Sequence, residues 1–171
     1  MNFITNHDEN SWNGTAKEKF GAGENAFALL SYTVPGMPLI YSGQEAGLDH
    51  RLKFFVKDTI DWTNNDFSAF YKKLNELKHS NEALWNAPFG GTFEMIKNNQ
   101  PKNVVSFIRE KGKSRVVVIA NLSNDKVTVN LKGDKADGEY TDVFSGAKFT
   151  LNSSNLNLTL EPWGYWVIES K

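Results

Sequence analysis

Lys126-Val127-Thr128-Val129-Asn130-Leu131 carries an apolar side chain at every second position, and Leu156-Asn157-Leu158-Thr159-Leu160 does the same. Successive side chains of a strand point to opposite faces. Each stretch therefore reads as a strand with one face on a core and one in water, the pattern of an antiparallel sheet. Outward from Lys126, short runs of the same kind predict further strands over Thr92–Ile96, Val104–Arg109, Arg115–Leu122, Tyr140–Phe144, Lys148–Leu151 and Tyr165–Glu169. Asn98-Asn99, Lys111-Gly112, Asp137-Gly138 and Ser145-Gly146 punctuate them as turns. Seven or eight short strands in roughly 80 residues predict a β-sandwich.

Before Pro88 the period is helical. Lys17 to Thr33 reads as a helix with Phe20, Ala26, Phe27, Leu29 and Leu30 on its apolar face; Gly21 and Gly23 weaken its first part and move its start toward Glu24. Pro35-Gly36 stops it. Phe67 to His79 is the clearest helix, with Phe67, Phe70, Tyr71, Leu74 and Leu77 at spacings of three and four and Asp66 placed to cap it. Two brief apolar runs, Phe3-Ile4-Thr5 and Pro38 to Ser42, each lead into a polar loop. Strand, helix, strand, helix is βαβα order and implies parallel strands. Two such units leave unpaired edges, so the first half reads as incomplete by itself. The boundaries drawn from this change of period are 1–87 and 88–171.

Composition removes several classes of function. The chain has 171 residues, 19 Lys+Arg against 20 Asp+Glu, a net charge of −1 and no cysteine. Disulfides, thiolate metal sites and cysteine nucleophiles are excluded, and the charge gives no bulk attraction to nucleic acid or to an anionic membrane. No apolar run approaches the roughly 20 residues of a membrane-spanning helix. Met1 to Asp8 has neither the basic start nor the apolar core of a signal peptide, so the compartment stays open. Asn-X-Ser/Thr triplets at Asn13, Asn121, Asn152 and Asn157 are what chance gives in a chain rich in these residues.

Two polar clusters could carry chemistry. Asn6-His7-Asp8-Glu9-Asn10 follows a buried run, where parallel α/β folds place their sites; the plainer reading is a loop whose Asn and Asp satisfy backbone groups. Gly36 to Gly47, with Gln44 and Glu45, is the second, its alternative being a tight turn with a solvated Glu. Asp61 to Asp66 lacks the Gly and the bidentate Glu of a calcium loop. His50 and His79 have no metal-ligand partners at short spacing. Of the aromatics Trp62, Trp85, Trp163, Tyr165 and Trp166, Trp166 reads as core, and Trp163, in a turn after Pro162, is the best candidate to stack on a sugar ring.

Several of these stretches together resemble one family. Phe3-Ile4-Thr5-Asn6-His7-Asp8-Glu9 resembles the last short motif shared by α-amylase-family glycoside hydrolases. Gly36 to Gly47 is similar to their eighth barrel strand and its loop; Arg51 to Phe55 with Ile60-Asp61-Trp62 resembles the linker to the last barrel helix. Phe70 to Leu74 with Asn81-Glu82-Ala83-Leu84 resembles the closing helix, and the β-rich remainder, down to Leu160 to Tyr165, the C-terminal Greek-key domain.

The resemblance implies a two-part α+β chain: the last two βα units of a (β/α)8 TIM barrel followed by an antiparallel Greek-key β-sandwich. It implies retaining cleavage of α-glucosidic bonds in starch, glycogen or maltooligosaccharides, with no cofactor and no metal assigned to this chain. By matching position Asp8 is the transition-state-stabilising carboxylate and His7 binds a substrate hydroxyl; Asn6 and Glu45 are expected among the substrate-binding residues, Glu45 at most from the cleft wall. Strands one to six of the barrel and both principal catalytic carboxylates are absent, so the chain alone is expected to be inactive. The partners expected are the α-glucan, the N-terminal barrel portion or a second copy. The alternative is a non-catalytic glucan-binding or scaffold module built on the β-half.

Overall fold

The computed structural model describes residues 1–64 and 67–171. A π-type helical turn at Glu9–Asn13 precedes helices α1 (Ala16–Phe20), α2 (Glu24–Thr33) and α3 (Ser68–Ser80). The strands are β1 (Thr92–Met95), β2 (Val104–Lys111), β3 (Ser114–Asn121), β4 (Val127–Val129), β5 (Gly138–Asp142), β6 (Lys148–Leu151), β7 (Leu158–Leu160) and β8 (Tyr165–Ser170). No described helix is long and apolar enough to cross a membrane.

The helix expected over Lys17–Thr33 is divided at its glycines. Thr15 and Glu18 form a reciprocal capping box at the start of α1. Gly21, at φ +52°, ends that helix, and α2 begins at Glu24 after a 3-10 turn. The cap expected at Asp66 lies outside the described residues; α3 buries Tyr71, Leu74 and Leu77, the face its spacing predicts.

Six strands form one antiparallel sheet in the order β1-β2-β3-β8-β5-β6, and β4 and β7 form a second sheet of two. The segments Lys126–Leu131 and Leu156–Leu160 are therefore neighbours, with Val127 opposite Leu160 and Val129 opposite Leu158. Both keep a wet face, since Thr128 and Thr159 are exposed. The centre of the large sheet differs. Val116, Val118, Ala120, Phe107 and Val167 pack on one side with Leu29, Tyr32, Tyr71 and Leu74 of the helices. Val117, Ile119, Ile108 and Ile168 face the other side, with Val129, Leu131 and Leu160. Covering both faces explains why Val116 to Ala120 is apolar without alternation. The sandwich is thus unequal: its second β layer has two strands, and helices cover the reverse of the large sheet.

Asn98-Asn99 is not a simple turn. Asn98 forms a β-bridge with Leu131, and its buried amide donates to Ser106 Oγ at 2.8 Å and to the Val104 carbonyl at 3.2 Å. Asn99 N–H donates to the Asn130 carbonyl at 3.1 Å, which links the two sheets.

Between residues 1 and 87 the two expected parallel strands reduce to one parallel bridge, Asn2 with Pro38. It is made by Asn2 N–H to Met37 O and Leu39 N–H to Asn2 O, both 2.8 Å. Ile4 and Thr5 are buried, but Phe3, expected in a buried strand, is 42% exposed. The helices are fixed to the sheet by Arg109 of β2, only 2% exposed. It donates to the carbonyls of Thr33 at 3.1 Å, Thr92 at 3.0 Å and Gly91 at 3.3 Å. Asn81, after α3, adds a bond from Nδ2 to the Ser170 carbonyl at 3.1 Å.

Candidate functional site

The buried pair Ile4–Thr5 delivers the chain to Asn6, His7 and Asp8 at the surface. Asn6 Oδ1 accepts Glu9 N–H at 2.8 Å, and the Asn6 carbonyl accepts Asn10 N–H at 2.9 Å, so Asn6 shapes the turn that follows. Asp8 makes no capping bond to that turn. Its Oδ2 lies 3.5 Å from His7 Nε2, and the two side chains are 60% and 67% exposed respectively. A carboxylate and an imidazole are thus presented side by side to solvent, able to accept from and donate to the hydroxyls of a polar ligand.

Glu9 points away from this pair. It binds Lys19 and accepts from Asn13 Nδ2 at 3.2 Å, and the Lys19 contact holds its carboxyl below the usual range. The turn itself is pinned by Asn10, which is 1% exposed. Asn10 Oδ1 accepts Leu52 N–H at 2.7 Å, Asn10 Nδ2 donates to the His50 carbonyl at 3.3 Å, and Ser11 Oγ donates to the Leu52 carbonyl at 2.7 Å. Farther along, Glu18 takes both Arg51 Nε at 2.9 Å and Nη2 at 3.2 Å, while Lys17 reaches Asp49 at 3.0 Å. Arg51 holds the Glu18 carboxyl low. Two segments distant in sequence, 6–20 and 49–56, are joined by these bonds into one wall.

That wall carries rings. His7 stacks on Phe54 at 5.9 Å between centroids, Trp12 lies 5.3 Å from Phe54 and 6.2 Å from Phe55, and Phe54 and Phe55 are 4.9 Å apart. Neither Asn10 nor Trp12 is distinguished by sequence pattern. Asn10 sits in a polar run where any Asn could be solvated, and its partners lie 40 residues or more away.

Glu45 is not brought to this group. It lines an open groove of about 550 Å³ with Ile40, Tyr71, Asn75 and His79, against α3. Its Oε2 is shielded and has no hydrogen-bond partner among the described residues. Burial pushes the nearby Tyr32 hydroxyl up to about 12, and the Glu45 charge adds to the effect. Gln44, its neighbour, donates to Tyr71 Oη from a buried position.

The sugar-stacking candidate Trp163 is committed elsewhere. It holds φ +58°, and a Cβ placed on Gly23 would come within 2.7 Å of its ring. Its ring also meets Phe27 at 6.2 Å, so it fills the junction between α2 and the β layer. Trp166, expected in the core, is only half-buried and stacks on Phe149 at 4.6 Å against the edge of the inner core. Trp85 donates its indole N–H to the His79 carbonyl at 3.1 Å, beneath Lys111. Among the described residues no three His, Asp or Glu side chains are grouped to hold a metal ion.

Comparison with known proteins shows what the chain is similar to. Residues 93–167 match the family described as Maltogenic Amylase, C-terminal domain. The chain is 26% identical over 163 residues to Alpha-amylase 2 of Dictyoglomus thermophilum, covering 88% of this chain and 26% of that protein. It is 30% identical over 149 residues to Alpha-amylase MalA of Haloarcula japonica, covering 85% of this chain and 21% of that protein. Its fold matches a maltogenic α-amylase of Thermotoga neapolitana with a TM-score of 0.81 at 19% identity, over 99% of this chain and 41% of that one. The chain therefore spans about a quarter of the length of the two curated relatives.

Proposed function

We propose that this chain, which matches the C-terminal portion of α-amylase-family proteins, completes the active site of a retaining α-glucan hydrolase. In this reading residues 1–87 are the last two βα units of a (β/α)8 barrel and residues 88–171 the β-domain that follows. The parallel bridge between Asn2 and Pro38, with α1 and α2 between its two segments, supports it. The remaining barrel strands, as a preceding segment, would be the partner that covers the apolar side chains of Met1, Phe3 and Met37, all exposed here.

Retaining cleavage needs a nucleophilic and an acid/base carboxylate roughly 5–5.5 Å apart across the scissile bond. Both would come from that preceding part. The part played by this chain is electrostatic. As the glycosidic bond breaks, positive charge grows on the sugar ring and its hydroxyls become stronger donors. Asp8, solvent-facing and uncommitted to the backbone, accepts a hydroxyl hydrogen bond that strengthens as the transition state forms. His7 binds a neighbouring hydroxyl, and Asn6 fixes the turn that aims both. Glu45 has no role in this scheme, because it lines the groove against α3.

The observation that carries the reading is the solvent-facing Asp8–His7 pair at the end of the buried Ile4–Thr5 segment. Asp8→Asn in the full-length protein tests it, with maltoheptaose as substrate. The expected result is a fall in kcat of about 10³-fold with an unchanged melting temperature. Wild-type turnover in that variant would sink the assignment. The alternative, a glucan-binding module on the β-half, loses its best contact residue to the junction, since Trp163 packs on Gly23 and Phe27.

A further inference from the structure

We infer that Trp12, Phe54 and Phe55, with His7 at their edge, form a stacking platform for glucose units of an α-glucan beyond those held at Asp8, and that this platform sets a preference for longer chains. The inference rests on the glucan-hydrolase reading above and adds a site to it.

Three observations carry it. The first is exposure: Trp12 is 56% and Phe55 83% exposed although each lies within van der Waals reach of other rings. Contiguous exposed aromatic surface is uncommon in soluble proteins and marks a contact site. The second is rigidity without burial. Asn10 and Ser11 bond the Leu52 backbone and Glu18 holds Arg51, which fastens the segment carrying Phe54 and Phe55 to the one carrying Trp12. Asp58 Oδ2 accepts Lys53 N–H at 2.9 Å and stiffens the same segment just before Phe54. A platform ordered before the ligand arrives loses little entropy on binding.

The third observation is the chemistry of its border. A pyranose ring has C–H-lined faces and a rim of hydroxyls. Ring faces from Trp12 and Phe55 suit the first, and the His7–Asp8 pair, with His7 stacked on Phe54, suits the second. A protein partner that covered the rings would also have to desolvate that exposed polar pair, which is costly without matched hydrogen-bond partners. The net charge of −1 offers nothing to a nucleic acid. A flexible polymer of glucose meets both needs.

The test compares maltoheptaose with maltotriose in the full-length protein, by calorimetric titration and by KM. Trp12→Ala and Phe55→Ala should each weaken maltoheptaose binding about tenfold and leave maltotriose within about twofold. Trp12→Phe should retain most of the affinity. Phe55, 83% exposed, is the ring whose removal is expected to leave the melting temperature unchanged. Unchanged maltoheptaose binding in both alanine variants, with hydrolysis still lost in Asp8→Asn, overturns the platform and leaves the hydrolase reading standing. Loss of thermal stability with unchanged binding means that another part of the protein covers these rings, and also overturns it. If the wild-type protein neither binds nor cleaves α-glucans, the hydrolase reading fails first and the platform with it.

Discussion

Arg109 Nη1 donates to the carbonyl of Thr33 over 3.1 Å, joining β2 to the C-terminal end of α2 across 76 residues of sequence. The guanidinium is buried, its other described bonds also go to backbone carbonyls, and burial lowers its pKa. A planar fork reaches three carbonyls at once, and the negative end of the helix dipole favours the charge.

Arg109→Met keeps most of the volume and leaves the carbonyls of Thr33, Thr92 and Gly91 unpaired. The expected loss is about 3 kcal/mol in urea unfolding. Arg109→Lys should recover less than half, because one ammonium cannot span the same carbonyls. A loss under about 1 kcal/mol for the Met variant would mean that the helices are held by apolar packing alone.

Asn10→Ala removes the acceptor of Leu52 N–H and the donor to the His50 carbonyl. A cost of about 2 kcal/mol follows from leaving buried backbone groups unsatisfied. Hydrogen exchange localises it: the Leu52 amide should lose its protection while β3 keeps its own. Equal loss at both places would show that Asn10 supports the whole fold and not this wall.

Lys78 gives a dependence on pH. Burial, with Arg109 nearby, pushes its ammonium down to about 8 from a usual value of 10.5, while its Nζ donates to the Gly36 carbonyl at 2.9 Å. Between these two values the unfolded chain binds more protons than the folded one, so this group makes stability rise with pH there; below about 8 its penalty is fully present. Lys78→Met should stabilise the protein by about 1 kcal/mol at pH 7, a figure reduced because the group is half-exposed. The gap between variant and wild type should narrow from pH 8 to 10; a gap that stays constant refutes the account.

Gly23→Ala tests the Trp163 contact. At φ −82° Gly23 is in ordinary helical space, where alanine would normally help by about 0.5–1 kcal/mol. The indole 2.7 Å from the new Cβ reverses the sign, to a net loss of about 1–2 kcal/mol. In a Trp163→Leu background the same change should become neutral or favourable. An equal loss in both backgrounds would place the cause elsewhere.

Much of the β-half was legible because it rests on local periodicity. Lys148–Leu151 is a strand with the predicted bounds, and the others fall within two residues. The amphipathic face of α3 was legible for the same reason. Asn98-Asn99 misled because an Asn pair between apolar runs is the ordinary mark of a turn, whereas here Asn98 is buried and paired with Leu131. The Asn6–Asp8 cluster was legible as a group. Glu45 was legible as part of a second cluster, but the groove it lines beside Tyr71 depends on packing against α3 and has no local signature.

What the sequence determined alone is the strands of the β-half, the apolar face of α3 and the position of one polar cluster, since spacing of two or of three and four residues acts over a few neighbours. Tertiary structure decided everything that depends on partners far along the chain. It set β8 between β3 and β5, covered both faces of Val116 to Ala120, and tied Arg109 to Thr33 and Asn10 to Leu52. It also divided two tryptophans against their local signals: Trp163, in a turn after Pro162, went into a junction where Gly23 leaves room for its ring, and Trp12, unmarked by pattern, stays in water. Burial is a property of the whole packed molecule, and no window of sequence contains it.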